Sequence, residues 1–487
     1  MKWRDYHERT KHSAESLRRS QYVLDWENMP DPFRHYEGVP VLDLPADPPS
    51  PDIPALAVLQ GAYGSTPTAE GPTFLSQLLY HSAAISASKL VPSTGYKYAL
   101  RVNPSSGNLH PTEFHFVTRG LKQWPDGLYH YRPSSHMAEQ RATGDLNLKA
   151  EGGSGPIVFV LTSIAWREAW KYKDRAYRYC LHDMGHAWQS LALAARAMGC
   201  DTFAYGRFPD DEVAQSCRLS EDEWPMLLVE IRNAPTREPD AAETVWYGGL
   251  PNMLSTETIA YPTIEDIHEA TKLNDGFSPS QAAPAGSGEV KLPDSVSSGR
   301  AFGESTRSRR SALDFRGGTE SMTLAELSAI LAVTAQPLSA DFADSRYVQL
   351  YMYAHRIDGL NPGVYRYWPE HAQLELIRSG DQRVAAAGLS LGQDLAGNAC
   401  LAFSMIADID RAVRSHGDRG YRYVHFEAGA IGQRLYLAAE SLGLGATGIG
   451  AFFDDEVHHY LNLKRGQGQV VYHFAIGHAI ADPRVIA

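Results

Sequence analysis

A chain of 487 residues, 43% hydrophobic and 21% charged, carries enough apolar material for two full cores at roughly 150 to 250 residues each, which excludes a disordered or fibrous chain. The formal net charge of -12 argues against nucleic acid or an anionic membrane surface as a general partner, because phosphate-rich partners need a basic footprint. The four cysteines (Cys180, Cys200, Cys217 and Cys400) include no close pair, and the first residues lack the apolar stretch of a signal peptide, so a reducing cytoplasm is the expected location.

The order of elements begins with a polar helical segment over 13–26 and a proline-rich extended stretch over 30–54 that reads as a wrapping arm. A helix is expected over 74–89, then a loop over 103–111, then strands over 113–118 and 157–163. The apolar run at 157–166 is about half the length a bilayer crossing needs, so it reads as a buried strand and no membrane span is expected. Leu181, Met184, Ala187, Trp188, Leu191, Ala195 and Met198 fall at helical spacing over 179–198, and Gly199 supplies a stop. A strand over 227–231 closes this unit. Ser, Pro, Ala and Gly dominate 274–304, which reads as a linker between domains over 1–273 and 305–487.

The second part repeats the first. Tyr177-Arg178-Tyr179 through Asp210-Asp211-Glu212-Val213 reappears without a gap as Tyr421-Arg422-Tyr423 through Asp454-Asp455-Glu456-Val457. Gly127-Leu128-Tyr129-His130-Tyr131-Arg132-Pro133 likewise returns as Gly363-Val364-Tyr365-Arg366-Tyr367-Trp368-Pro369. Such a tandem pair can pack as a built-in dimer with two non-equivalent sites at its interface.

Three short pieces carry the chemistry. Arg309-Arg310-Ser311, expected just ahead of a helix, offers two guanidiniums and a hydroxyl to a phosphate, although the same tripeptide would serve as a solvated linker tip. Pro104-Ser105-Ser106-Gly107-Asn108 lets backbone amides approach a flat ligand and presents an amide side chain, as an ordinary turn would also do. Gly445-Ala446-Thr447-Gly448-Ile449-Gly450 reads as a glycine loop after a helix; its counterpart, Asp201 to Gly206, has lost the first two glycines. A zinc reading of His182 and His186 fails because Asp183 stands where His-Glu-x-x-His needs glutamate and no third ligand is evident, so no metal is assigned.

Together these pieces resemble the FMN-dependent nitroreductase-like superfamily. Lys171-Tyr172-Lys173-Asp174-Arg175-Ala176-Tyr177-Arg178 also looks like the Lys-Tyr-x-x-Arg-x-Tyr-Arg signature of SagB-type dehydrogenases, which oxidise thiazolines and oxazolines to azoles in ribosomally made peptides. The resemblance implies an α+β chain of two tandem nitroreductase-like domains, each an antiparallel-rich sheet flanked by helices, packed as an intramolecular pseudo-dimer with FMN at the interface. It implies that Arg309, Arg310, Ser311, Gly448, Ile449 and Gly450 bind the cofactor from the second domain, and Pro104, Ser105, Ser106, Gly107, Asn108 and His110 from the first. Leu313 occupies a position that is often basic in the family, and Arg484 is expected to compensate. Lys171 and Tyr172 are the implied acid/base pair, aligned with Ser415 and His416 in the repeat.

The reciprocal site would need a second small-residue loop, yet 336–346 reads Gln-Pro-Leu-Ser-Ala-Asp-Phe-Ala-Asp-Ser-Arg, so one composite site is expected. The implied activity is oxidation of an azoline-like, other small organic or peptide-derived substrate, with electrons exchanged with oxygen or NAD(P)H. NAD(P)H-dependent reduction of nitro compounds or quinones shares every motif, and a flavin-free relative acting as a binding or scaffolding partner is the reading from another class.

Overall fold

The computed structural model describes residues 1–20, 23–92, 95–240, 242–273, 278–464 and 466–486. Helix α1 (Trp3–Arg9) is followed by α2 (Ala14–Arg19), started by the Ser13 hydroxyl accepting from Ser16 N. The helix expected over 13–26 is therefore shorter: residues 21–22 lie outside the described residues, and Trp26–Asn28 is one 3₁₀ turn capped by Asp25. The arm lays strand β1 (Val41–Asp43) on the sheet of its own half before α3 (Ala55–Leu59) and α4 (Gly71–Tyr80).

The helix expected over 74–89 stops at Tyr80. The amides of Ala83 and Ala84 turn back onto Leu79 O, and the chain leaves as β2 (Ile85–Leu90), which pairs with β3 (Lys97–Arg101). Here an available strand partner overrides a weak helical pattern. The rest of the half comprises β4 (Thr112–Thr118), β5 (Gly127–Arg132), β6 (Met137–Thr143), β7 (Ile157–Ser163), α5 (Ala165–Tyr172), α6 (Ala176–Ala197), β8 (Asp201–Tyr205), α7 (Asp210–Ser216), β9 (Trp224–Arg232) and β10 (Val245–Trp246). The antiparallel sheet runs β10-β6-β5-β4-β7-β9-β8.

Helix α8 (Pro262–Ala270) begins the same sequence of elements again as the counterpart of α1. The stretch read as a linker, of which 274–277 lie outside the described residues, behaves as a second arm. It lays β11 (Val290–Lys291) on the second sheet, and Ser328 Oγ donates to Pro293 O at 2.6 Å as Ser76 Oγ donates to Pro45 O at 2.6 Å. Then come α9 (Phe302–Ser308), α10 (Leu324–Ala335), β12 (Val348–Ala354), β13 (Gly363–Trp368), β14 (Gln373–Ser379), β15 (Leu401–Ala407), α11 (Ile409–His416), α12 (Gly420–Ser441), β16 (Gly445–Ile449), α13 (Asp454–Tyr460) and β17 (Gln469–Gly477). The second sheet runs β11-β14-β13-β12-β15-β17-β16, the order of the first. Strand β18 (Val485–Ile486) crosses over to pair with β2 of the first half.

The α+β tandem architecture read from the sequence is thus observed, with one core cluster running through both halves. Helices α6 and α12 are buried nearly all round, as helices packed on every side must be. They cross at equivalent glycines: a Cβ on Gly185 would lie 2.3 Å from Phe426 O, and one on Gly429 would lie 2.2 Å from His182 O. Flanking the crossing are two exchanged ion clusters. Asp454, first residue of α13, accepts from Arg175 at 2.9 Å, Arg178 at 2.8 Å and His12 N at 2.8 Å. Asp210, first residue of α7, accepts from Arg419 at 2.6 Å, Arg422 at 2.7 Å and Leu273 N at 3.0 Å.

Burial alone would push both carboxyls up; the paired guanidiniums outweigh it and hold them below the ordinary aspartate value. Their stabilisation is therefore complete above the unfolded value of about 3.9 and is lost as pH falls through the folded one. Asp454→Asn leaves two buried guanidiniums without their counter-ion and is expected to cost about 3–5 kcal/mol, with Asp210→Asn costing as much. Differential scanning calorimetry tests this; unchanged melting in either variant would contradict the assigned role.

Candidate active site

Between the halves lies a cavity of about 960 Å³. Its floor from the first half is the loop between β3 and β4, whose tight path is visible in the left-handed φ of Gly107 (58°) and Asn108 (60°). Asp183 of α6 holds this loop from behind, accepting from Ser105 Oγ at 2.5 Å, Ser106 N at 3.1 Å and Ser106 Oγ at 3.0 Å. Burial, only partly offset by the serine donors, pushes the Asp183 carboxyl up to about 7.

Pro104, Ser105, Ser106, Gly107 and Asn108 all line the cavity. The Asn108 amide is used within the loop, donating to Ala99 O at 2.9 Å and meeting His110 Nε2 at 3.1 Å through its oxygen. His110 sits beneath the loop rather than in the cavity wall. Burial, then Arg101, Arg167 and Arg309, depress it well below the usual imidazole range, so it is neutral.

Lys171 and Tyr172, the last residues of α5, converge above Gly107. A Cβ placed there would lie 2.7 Å from Tyr172 Oη and 3.1 Å from Lys171 Nζ. The Tyr172 hydroxyl is pushed well above the ordinary phenol value by burial and then by Glu168. Its ring packs 4.4 Å from that of Tyr179, whose hydroxyl donates to Gly450 O at 3.0 Å.

The opposite wall comes from the second half. Arg309 ends α9 rather than preceding a helix as expected, because the chain turns extended there to pair Ser311 beside Ala446. Its guanidinium donates to Val102 O and Arg101 O, both at 3.1 Å, while buried Nη1 has no partner among the described residues. Arg310 donates to Arg307 O at 2.9 Å and Ser86 O at 3.0 Å and leaves buried Nε unpartnered among the described residues. Burial, then the neighbouring charges of Arg309 and Arg307, pull Arg310 down to about 10. Crowded guanidiniums with N–H groups to spare form an anion-accepting corner.

The segment read as a glycine loop is strand β16, paired with β17, and its glycines serve close packing. A Cβ on Gly448 would fall 2.0 Å from Tyr472 Oη, and one on Gly450 would fall 2.1 Å from Tyr179 Cε1. Tyr436 Oη ties this wall together, accepting from Gly448 N at 2.8 Å and meeting Ser311 Oγ at 2.9 Å. Ser311, Ile449 and Gly450 all face the cavity. Arg484 does not line it; its guanidinium is paired with Asp482 at 2.8 Å, and the cation Asp482 brings to the wall is Lys89 at 2.5 Å. At the mouth, Trp26 of the arm meets Trp170 edge-on at 5.3 Å.

The reciprocal location is filled by the chain itself. Six positions before its strand β12 the second half has Phe342, where the first half has Ser106 six positions before β4. The Phe342 ring lies 4.2 Å from the ring of Tyr423, stacked on it, and Asp341 accepts from Gly206 N at 2.7 Å and Arg207 N at 3.0 Å. The segment after α3, Gln60-Gly61-Ala62-Tyr63-Gly64, carries no arginine.

A profile of the Nitroreductase family matches residues 82–231 and 306–478. McbC, the microcin B17-processing protein of Escherichia coli, is 28% identical over 144 residues, 27% of this chain and 53% of McbC. A protein of Methanocaldococcus jannaschii named as a candidate nitroreductase is 36% identical over 117 residues, 24% of this chain and 59% of that protein. The matched regions thus span little more than half the length of these curated relatives. A crystal structure from Anabaena variabilis, also of a protein named as a candidate nitroreductase, superposes with a TM-score of 0.78 and 26% identity over 98% of this chain and 99% of that one.

Gly450→Ala should drive its new methyl into the Tyr179 ring and cost about 1–3 kcal/mol. Combining it with Tyr179→Ala is expected to cost less than the sum of the two single changes in urea unfolding; strict additivity would show that the contact does not limit this wall.

Proposed function

Because the chain belongs to the nitroreductase family, we propose that it is an FMN-dependent oxidoreductase with one composite flavin site, acting on an azoline-like or other small organic or peptide-derived substrate. The reading rests above all on the cavity wall in which Arg309 and Arg310 each keep a buried N–H without an acceptor. A bound phosphate would give these donors an acceptor, and a buried donor is costly to leave unpaired. Arg309, Arg310 and Ser311 would hold the phosphate, the Pro104 to Asn108 loop and the β16 edge would face the ring system, and Tyr436 would brace the join. FMN, when bound, supplies a two-electron hydride acceptor and donor.

The remaining work belongs to the side chains. Tyr172 keeps its proton at neutral pH, so its hydroxyl acts as hydrogen-bond donor and acid, and Lys171 Nζ beside it is the second group that can exchange a proton with the substrate. The loop under both is fixed by Asp183, so their tips are positioned before substrate arrives. Trp26 and Trp170 at the mouth favour flat or apolar substrates and help to exclude water.

Denaturing the purified protein should release about one FMN per chain, since the reciprocal location is filled by Phe342 and Asp341. Arg309→Ala with Arg310→Ala removes charge-assisted bonds and should weaken flavin binding on the order of a hundredfold or more, read by equilibrium dialysis. Full retention of flavin by the double variant would refute the assignment.

A further inference from the structure

Glu168 lies on α5, one turn before Lys171 and Tyr172 and on the same helix face, and is 0% exposed. Its carboxyl meets the Asp183 carboxyl and the Ser105 hydroxyl with no cation paired to it among the described residues, an arrangement that a proton held between the two acids makes tolerable. The groups facing it are Asp183 and Cys180 from α6, Ser105 from the loop, and Lys171 and Tyr172 from its own helix. The repeat supplies an internal comparison. A backbone-holding acid is kept at the equivalent place of both long helices, as Asp183 and as Glu427, which accepts from Tyr347 N at 3.0 Å and Val348 N at 3.0 Å at the start of β12. Glu168, Lys171 and Tyr172 are instead replaced together, by Ala412, Ser415 and His416. A carboxyl that served only to support the fold would follow Asp183, not the pair.

We propose that Glu168 is the third member of the Lys171–Tyr172 unit, the buried carboxyl that stores the proton this pair gives and takes. The inference rests on the oxidoreductase reading above. In substrate reduction, the pair gives a proton to the substrate as hydride arrives from reduced flavin. The Glu168 O–H bond then breaks, restoring the N–H or O–H of the pair and leaving a carboxylate that solvent reprotonates. Substrate oxidation runs the same line backwards: the C–H proton passes to the pair and on to the Glu168 carboxylate, while the bonding electrons leave as hydride to oxidised flavin. Burial, then Asp183, hold the Glu168 carboxyl well above its ordinary value, with Lys171 opposing. Burial thus favours the protonated form, the one suited to giving protons. Reduction should fall as pH rises through this titration, and oxidation should rise with it.

Glu168→Gln keeps the shape and removes the exchangeable proton. In flavin-free protein, infrared difference spectra of wild type against this variant should show the loss of one protonated-carboxyl C=O band at neutral pH. In the loaded enzyme, turnover should fall about a hundredfold, with flavin content unchanged and the pH limb abolished. Identical bands in both proteins, or a limb that survives in the variant, would overturn the proposal. Should the glutamine form not fold, Glu168→Ala, the residue of the second half at this place, is read in the same two ways. If wild type binds no flavin, the oxidoreductase reading fails, while the infrared comparison still decides whether Glu168 holds a proton.

Discussion

The crossing of α6 and α12 is the constraint on which everything else in this molecule depends. Two glycines allow the helix backbones to touch, and each half then extends an aspartate into a pair of arginines on the other. Buried ion clusters of this kind contribute little net stability over well-packed apolar groups, but they punish every wrong arrangement severely. Their effect is registry. With α6 and α12 fixed, the loop held by Asp183 and the Arg309–Arg310 corner are brought to face each other across one cavity.

Symmetry of the scaffold contrasts with asymmetry of the contents. Both halves keep the sheet order, the arm, the arginine pair and the acidic helix start, because each supports the common fold. What differs is concentrated around the two interface locations. One has small loop residues, the Lys171–Tyr172 pair and spare guanidinium donors; the other has Phe342 stacked on Tyr423 and Asp341 seated on the amides of Gly206 and Arg207.

Much of this was legible in the sequence because duplication writes the same pattern twice. Helix α6 and strands β4, β7 and β9 stand out from apolar spacing, and the ungapped repeat carries the α6 pattern over to α12. Strand β2 did not, since Ser86, Ala87 and Ser88 suit either state and only pairing with β3 decides between them. Strand β16 was hidden for a related reason: its glycines signal a loop locally, whereas Tyr472 and Tyr179 demand glycine through tertiary contact. The second arm was masked by its linker-like composition, since its role lies in backbone pairing on β14 rather than in side chains. Asp183 was in view but weighed only as a misfit at the glutamate position of a zinc motif. Its repetition as Glu427 at the equivalent place of α12 was the signal that an acid there holds backbone, and the change of Glu168 to Ala412 marked the opposite kind of residue.

Joining the halves in one chain has a consequence for dilution. A cavity assembled from two separate subunits is lost once their concentration falls below the dissociation constant, whereas here the local concentration of one wall relative to the other is set by the covalent connection. The arm running along the second sheet and β18 returning to β2 make that connection close rather than loose. The cavity therefore persists in a single isolated molecule, however scarce the protein is in its surroundings.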